Sequence, residues 1–268
     1  MTNVKDEKES RIGTHLKSMV QAPPGYCIVG ADVDSQEQWL AAIMGDASDA
    51  AGLDENERRP GRTPFSNMAL AGHRSDNSDL HSVIANDLKI KRDTAKILNY
   101  ARLYGAGITN AKNTLISTEK YFIGGYESST FNYLVWSARQ GQMCTPVLKC
   151  ILGSGLSIPQ NCTGTEKQLF LDTFMRSRMN WVVQSSAVDF LHLLLLSMDW
   201  LCTEYDIGCR FMISIHDEVR YLCKDEDVGR CALALMWSNA YTVHCQSTKR
   251  ACDLRDGCYR KGTEDRLN

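Results

Sequence analysis

The sequence predicts an α+β fold, a small antiparallel sheet carried on long helices. Three stretches of the chain predict it. Residues 26–33 form a short apolar run, and residues 210–222 read as two strands around a polar tip. Between these lies a run of about 38 residues with apolar positions at helical spacing.

Residues 1–20 are polar and then mildly helical. Pro23-Pro24-Gly25 then turns the chain into Tyr26-Cys-Ile-Val-Gly-Ala-Asp32-Val, a buried strand. Ser35 and Gln38 fit a capping box, so a helix is expected from there through Met44. Residues 45–79 are rich in Gly, Asp, Asn, Ser and Arg and contain Pro60 and Pro64, the composition of a long surface connection with little packed structure. A short helix is expected over residues 80–88, and a strongly periodic one over 91–104 that Gly105 and Gly107 would stop. Residues 110–165 have no pattern beyond a helix around 133–139. From Gln168 to about Tyr205 the pattern is helical throughout, with Arg176, Asn180 and Gln184 four residues apart on one face. The strands at 210–215 and 219–222 then make a hairpin with His216-Asp217-Glu218 at its tip, and residues 228–240 form a helix that packs on it. Residues 245–268 are charged and aperiodic and are expected to be loosely ordered.

With 43% hydrophobic and 23% charged residues in 268, the chain is globular and not a disordered tail. Its formal net charge is only −2, so any nucleic-acid surface must come from local clustering, which residues 89–104 supply. Eleven cysteines with no C-x-x-C spacing, several of them in apolar runs, read as reduced thiols. The N-terminus has neither a signal-peptide core nor the character of a mitochondrial presequence. The most apolar stretch, residues 190–202, is interrupted by His192 and Asp199 and reads as too short to span a bilayer.

The candidate chemistry is concentrated in three segments. Asp32 and Asp217 each end or adjoin a strand, where two carboxylates can share hard divalent cations, with the Val33 carbonyl as a further ligand. Either aspartate taken alone is more often a turn or cap residue. Arg92, Lys96, Tyr100 and Tyr104 recur every four residues and form one helical stripe about 18 Å long. Such a stripe puts cations at the phosphates and aromatics at the sugar and base of a nucleoside triphosphate, with His81 upstream as a further phosphate donor. A solvated basic face with two core tyrosines has the same pattern. Arg176, Asn180 and Gln184 have donors suited to sugar, phosphate or minor-groove edges, or else form a self-satisfied polar seam. His216 is open to either reading.

Four ordered strings carry a resemblance: residues 29–37 (Val-Gly-Ala-Asp-Val-Asp-Ser-Gln-Glu), 95–107, 180–189 and 213–222 (Ile-Ser-Ile-His-Asp-Glu-Val-Arg-Tyr-Leu). Together they resemble the conserved motifs of the family A DNA polymerases, in particular the mitochondrial branch, over roughly residues 10–240. The resemblance implies a polymerase palm built on an antiparallel sheet over residues 1–244, with helical, shortened fingers at about 80–165 and a divergent tail at 245–268. It implies a chain without thumb or exonuclease domain, and therefore without proofreading. By the same resemblance Asp32 and Asp217 match the aspartates that bind two Mg2+ ions, and Glu37 pairs with Tyr104 to exclude ribonucleotides. Arg92, Lys96 and His81 match triphosphate ligands and Tyr100 the aromatic beside the incoming sugar, while Arg176, Asn180, Gln184 and His216 match primer-template contacts. Primer-template DNA, deoxynucleoside triphosphates and an accessory subunit are the implied partners, no membrane among them, and the implied location is the mitochondrion.

Three readings follow for the chain. The first is template-directed nucleotidyl transfer; the second is a fragment that holds DNA and nucleotide without turnover. The third is an unrelated metal-dependent phosphohydrolase, which would have no use for the Tyr100 and Tyr104 stripe.

Overall fold

The computed structural model describes residues 19–49, 64–104 and 125–248. The expected glycine stop at 105 and 107, the N-terminal segment before residue 19 and the tail beyond 248 lie outside them.

Strand β1 (Tyr26–Asp32) pairs antiparallel with β3 (Glu218–Lys224), which pairs antiparallel with β2 (Cys209–Ile215), so the sheet order is β1-β3-β2. Alternation decides which face is dry: Val219, Tyr221 and Cys223 are buried, and across the ladder they meet Ala31, Val29 and Cys27. The β2–β3 register shifts between Phe211 and Ile213, a bulge beside a strand whose Ile213 and Ile215 stay exposed.

Helix α1 (Gln36–Asp49) starts four residues after β1 ends. Its Trp39-Leu-Ala-Ala-Ile-Met44 run is apolar all round, as a helix in the middle of a core must be, and all six side chains are buried. The expected capping box is replaced by another arrangement. The Ser35 backbone carbonyl accepts from the Gln38 and Trp39 amides, while the Ser35 hydroxyl donates to Asp34 Oδ1 at 3.4 Å. Ser35 has φ +53, not the extended backbone usual for an N-cap residue.

The connection expected over 45–79 is more structured than its composition suggests. Helix α1 runs on to Asp49, α2 spans Pro64–Ala71, and a 3-10 turn covers Arg74–Asp76. Proline at the first position of α2 is tolerated because that N–H has no helical partner. Helices α3 (Leu80–Leu88) and α4 (Arg92–Leu103) follow, and α5 spans Gly125–Arg139, longer than the expected 133–139. Gly45 explains how closely α5 crosses α1: a Cβ there would lie 2.3 Å from Thr130 Oγ1 and 3.1 Å from Thr130 Cα.

Helix α6 (Gly164–Glu204) has 41 residues, and α7 covers Val228–Thr248. By length and composition α6 could cross a membrane, contrary to the expectation drawn from residues 190–202. Here it is a core helix: Val183, Phe190, Leu194 and Met198 are buried, and Phe190 meets Trp39 edge-to-face at 5.2 Å. The expected boundary at 244/245 falls inside α7, because Cys245 and Gln246 are both fully buried and hold that turn against the core. The nine described cysteines are free thiols.

Arg178 on α6 is fully buried, an observation the sequence does not suggest. Its guanidinium donates to the Ala138 and Gln140 carbonyls, both at 2.7 Å, and to the Leu156 carbonyl, clasping the chain that follows α5. Arg178→Leu should destabilise the fold by about 3 kcal/mol or more, since three carbonyls lose their donor at once. Urea unfolding followed by circular dichroism measures this, and an unchanged midpoint would mean that the carbonyls find other partners.

Candidate active site on the sheet end and helix α4

The two candidate metal-binding carboxylates meet because β1 and β3 pair to their ends. Asp32 is the Cα partner of Glu218, and one step further the Val33 amide donates to the Asp217 carbonyl at 3.2 Å. Burial, then the charge and hydrogen bond of Asp217, then Glu218 and Asp34, hold the Asp32 carboxyl above the usual carboxylate range. Arg220 donates from Nε to Glu218 Oε1 at 2.6 Å, which neutralises the third acid. No group of three acidic, His or Cys side chains forms a closed cage among the described residues. The residues present offer instead the Asp32 and Asp217 carboxylates at the ends of adjoining strands, hard oxygens in mutual repulsion that would suit divalent cations able to take further oxygens from phosphate.

His216 stands at the first of the two residues between the paired Ile215 and Glu218, with φ +56. Glycine is usual in such a turn, so a histidine there is strained by about 1–2 kcal/mol and is held by the strands on either side. His216, Asp32, Asp34 and Asp217 border a cavity of about 380 Å³ between β1 and α7.

Three residues of the expected stripe, Arg92, Lys96 and Tyr100, lie on α4, and Tyr104 follows one residue past its end, its amide donating to the Tyr100 carbonyl. Arg92 Nη2 is 2.7 Å from Asp79 Oδ2, and Lys96 Nζ lies 5.8 Å from the centre of the Tyr100 ring. The Tyr100 and Tyr104 rings are 6.3 Å apart, and His81 on α3 is 6.0 Å from Tyr100. Glu37, at the start of α1, faces both tyrosines. The Tyr100 hydroxyl donates to Glu37 Oε2 at 3.4 Å, and Gln184 Nε2 bridges from Glu37 Oε1 at 3.4 Å to the Tyr104 hydroxyl at 3.2 Å. The expected Glu37–Tyr104 pairing therefore includes Tyr100 and Gln184 as well. Burial first, and Glu37 second, push both phenols up from their ordinary range, so both keep their protons.

Arg176 and Asn180 are exposed on the same face of α6 as Gln184, and among the described residues no hydrogen bond draws them into this cluster. Two polar partners went unnoticed in the sequence. Asp79, just before α3, holds Arg92, and its only signal was an acidic residue at a helix start. Buried Asn99 on α4 lies 2.9 Å from His81 Nδ1 and gave no signal, since a lone mid-helix asparagine is common. Burial first, then Arg92, lowers the His81 pKa, so the ring is neutral.

The family model described as DNA polymerase family A matches residues 2–240. "DNA polymerase gamma" of Komagataella pastoris is 40% identical over 89% of this chain and 25% of its own length. "DNA polymerase gamma, mitochondrial" of Neurospora crassa is 38% identical, covering 88% and 17%. "DNA polymerase subunit gamma-1" of Gallus gallus is 36% identical, covering 88% and 46%. The chain thus spans between 17% and 46% of the length of these relatives. Among solved structures, the POL domain of Pol1 from M. smegmatis in complex with DNA primer-template and dNTP aligns at a TM-score of 0.61. It is 17% identical and is matched over 90% of this chain and 41% of its own, a likeness of fold.

Asp32→Asn should raise the melting temperature of the metal-free chain by roughly 1–2 °C at neutral pH, because it removes a charge that folding sets beside Asp217. A carboxyl whose folded pKa lies above its unfolded one disfavours folding once pH exceeds both. The gain should therefore be full at neutral pH and shrink as pH falls towards about 4. Thermal scans in chelator at both pH values test it, and a lower melting temperature at neutral pH would contradict the repulsion.

Proposed function

The chain belongs to DNA polymerase family A, and on that premise we propose that it forms the palm and partial fingers, the latter at about residues 80–165, of a template-directed DNA polymerase of mitochondrial DNA replication. The observation that carries the reading is the meeting of Asp32 with Asp217 at one end of the sheet, where the adjoining Val33 and Asp34 share a cleft with Asp79, the partner of Arg92, and with His81. The names of the N. crassa and Drosophila melanogaster relatives include the word mitochondrial, which supports that location.

In this reading Asp32, Asp217 and the Val33 carbonyl hold two Mg2+ ions. When bound, these supply the charge that acidifies the primer 3′-hydroxyl and stabilises the oxygen leaving the α-phosphate. Arg92, Lys96 and His81 bind the triphosphate and set its α-phosphorus in line with the primer. The primer 3′-hydroxyl gives up its proton to water, and its oxygen forms the new bond to that phosphorus as the α–β bridge breaks and pyrophosphate departs. Glu37, with Tyr100 and Tyr104, closes the space beneath the sugar, where a 2′-hydroxyl would displace the Tyr100–Glu37 hydrogen bond. Arg176, Asn180 and Gln184 follow the duplex along one face of α6, and strained His216 meets the primer end. A polymerase accessory subunit is the further partner of this reading.

Asp32→Asn and Asp217→Asn should each lower single-turnover incorporation by several orders of magnitude while the circular dichroism spectrum is unchanged. Near-normal rates in either variant would remove the assignment. Because the chain spans a minor part of its relatives' length, the competing reading is a DNA- and nucleotide-binding fragment without turnover. Primer-template binding by the wild-type chain without extension would establish that reading instead.

Tyr100→Phe should raise the preference for deoxy- over dideoxynucleotide, since the lost hydroxyl can no longer stand in for the missing 3′-hydroxyl. The ratio of kcat/KM for the two nucleotides measures the change, about tenfold or more. An unchanged ratio would place Tyr100 away from the sugar.

A further inference from the structure

We infer that Asn99 is a positioning residue that holds the single proton of His81 on Nε2, so that a neutral imidazole presents an N–H donor to a triphosphate oxygen. The inference rests on the proposed reading of His81 as a triphosphate ligand. Asn99 Nδ2 stands 2.9 Å from His81 Nδ1, and the two residues are 5% and 2% exposed. The other ring nitrogen, Nε2, is buried and has no hydrogen-bond partner among the described residues. Half of the ring's polar capacity is thus satisfied by Asn99, and the other half is left for something the chain does not supply.

The neighbours of His81 explain why the tautomer matters. Burial first, and then Arg92 and Lys96 on the same helix as Asn99, disfavour a positive charge on the ring, against the opposing pull of Asp79 and Asp34. A charged imidazole would donate from both nitrogens and need no help. A neutral one has a single N–H, and which nitrogen carries it is set by the hydrogen bond at the other. With the carboxamide NH2 of Asn99 donating to Nδ1, the proton is on Nε2. With the carboxamide reversed, Nε2 would present a lone pair, which repels phosphate oxygen. The Tyr100 ring, 6.0 Å from His81, packs against the same side chain. Asparagine is a poor helix former that is seldom buried without a partner, and its place in the middle of α4 is accounted for by this single bond.

The test uses the whole chain labelled with 15N-histidine, with the His81 signals identified among the six histidines by their loss in His81→Ala. Long-range 1H–15N spectra should show the Nε2–H tautomer in the wild type and a mixture in Asn99→Leu, a substitution of similar volume without the donor. Titration with dTTP and Mg2+ should show Asn99→Leu weakening binding roughly tenfold. In the His81→Ala background the same substitution should change the affinity by less than about twofold, because the donor it serves is gone. An Nδ1–H tautomer in the wild type, or an equal effect of Asn99→Leu with and without His81, would overturn the inference while leaving His81 as a ligand. His81→Ala with unchanged dTTP affinity would instead overturn the reading beneath it, and this inference with it.

Discussion

The amide of Val33 donating to the carbonyl of Asp217 is the bond on which the rest of the site depends. It is the last rung of a ladder that begins at Tyr26 and Lys224, and without that ladder Asp32 and Asp217 would repel each other apart. The backbone bears the electrostatic strain because its hydrogen bonds are paired regardless of which side chains stand at the end. Val219, Tyr221 and Cys223 anchor the ladder by burying one face against α6 and α7. A small sheet can therefore hold like charges together because two long helices hold the sheet.

The cluster on α3 and α4 is organised differently. No strand fixes it; Arg92 is held by Asp79, His81 by Asn99, and Tyr100 by Glu37, each bond joining a helix to a neighbouring element. Arg92 is thereby paired with a carboxylate that a polyanion could displace, whereas the sheet-borne carboxylates are fixed in the backbone frame. Burial keeps Tyr100 and His81 uncharged, so the cluster offers neutral hydrogen-bonding groups beside the charges of Arg92 and Lys96.

Much of this was legible in the sequence where a residue's role follows from its spacing. The Arg92, Lys96, Tyr100, Tyr104 stripe obeys the helical period, and the His216-Asp217 tip lies between two runs of strand pattern, so both were found. Helix α5 was only partly seen, because its residues 125–139 include few apolar positions in phase. The helical content of 45–79 was hidden by a loop-like composition that packing overrides, and the end of α7 by the polar look of residues 245–248, of which Cys245 and Gln246 are buried. Asp79, Asn99 and Arg178 were invisible for a common reason: each acts through a partner on another element, and no local pattern reports a distant partner. The left-handed backbone of Ser35 and His216 was equally hidden, since neither residue type announces it.

Helix α1 is buried on every side, with Trp39, Leu40 and Ile43 in the core beneath the sheet, Ala41 and Met44 in the core with α5 and α6, and Ala42 against α3. Glu37 rides at the head of this helix, and Gly45 leaves no room at its other end. A variant library that seeks to reshape the Glu37 cluster would accordingly lose most α1 substitutions to misfolding before any change at Glu37 could be selected. The accessible routes run through Glu37 itself and through Tyr100 and Tyr104, all three half-buried, and not through the packed side chains that follow Glu37 along the helix.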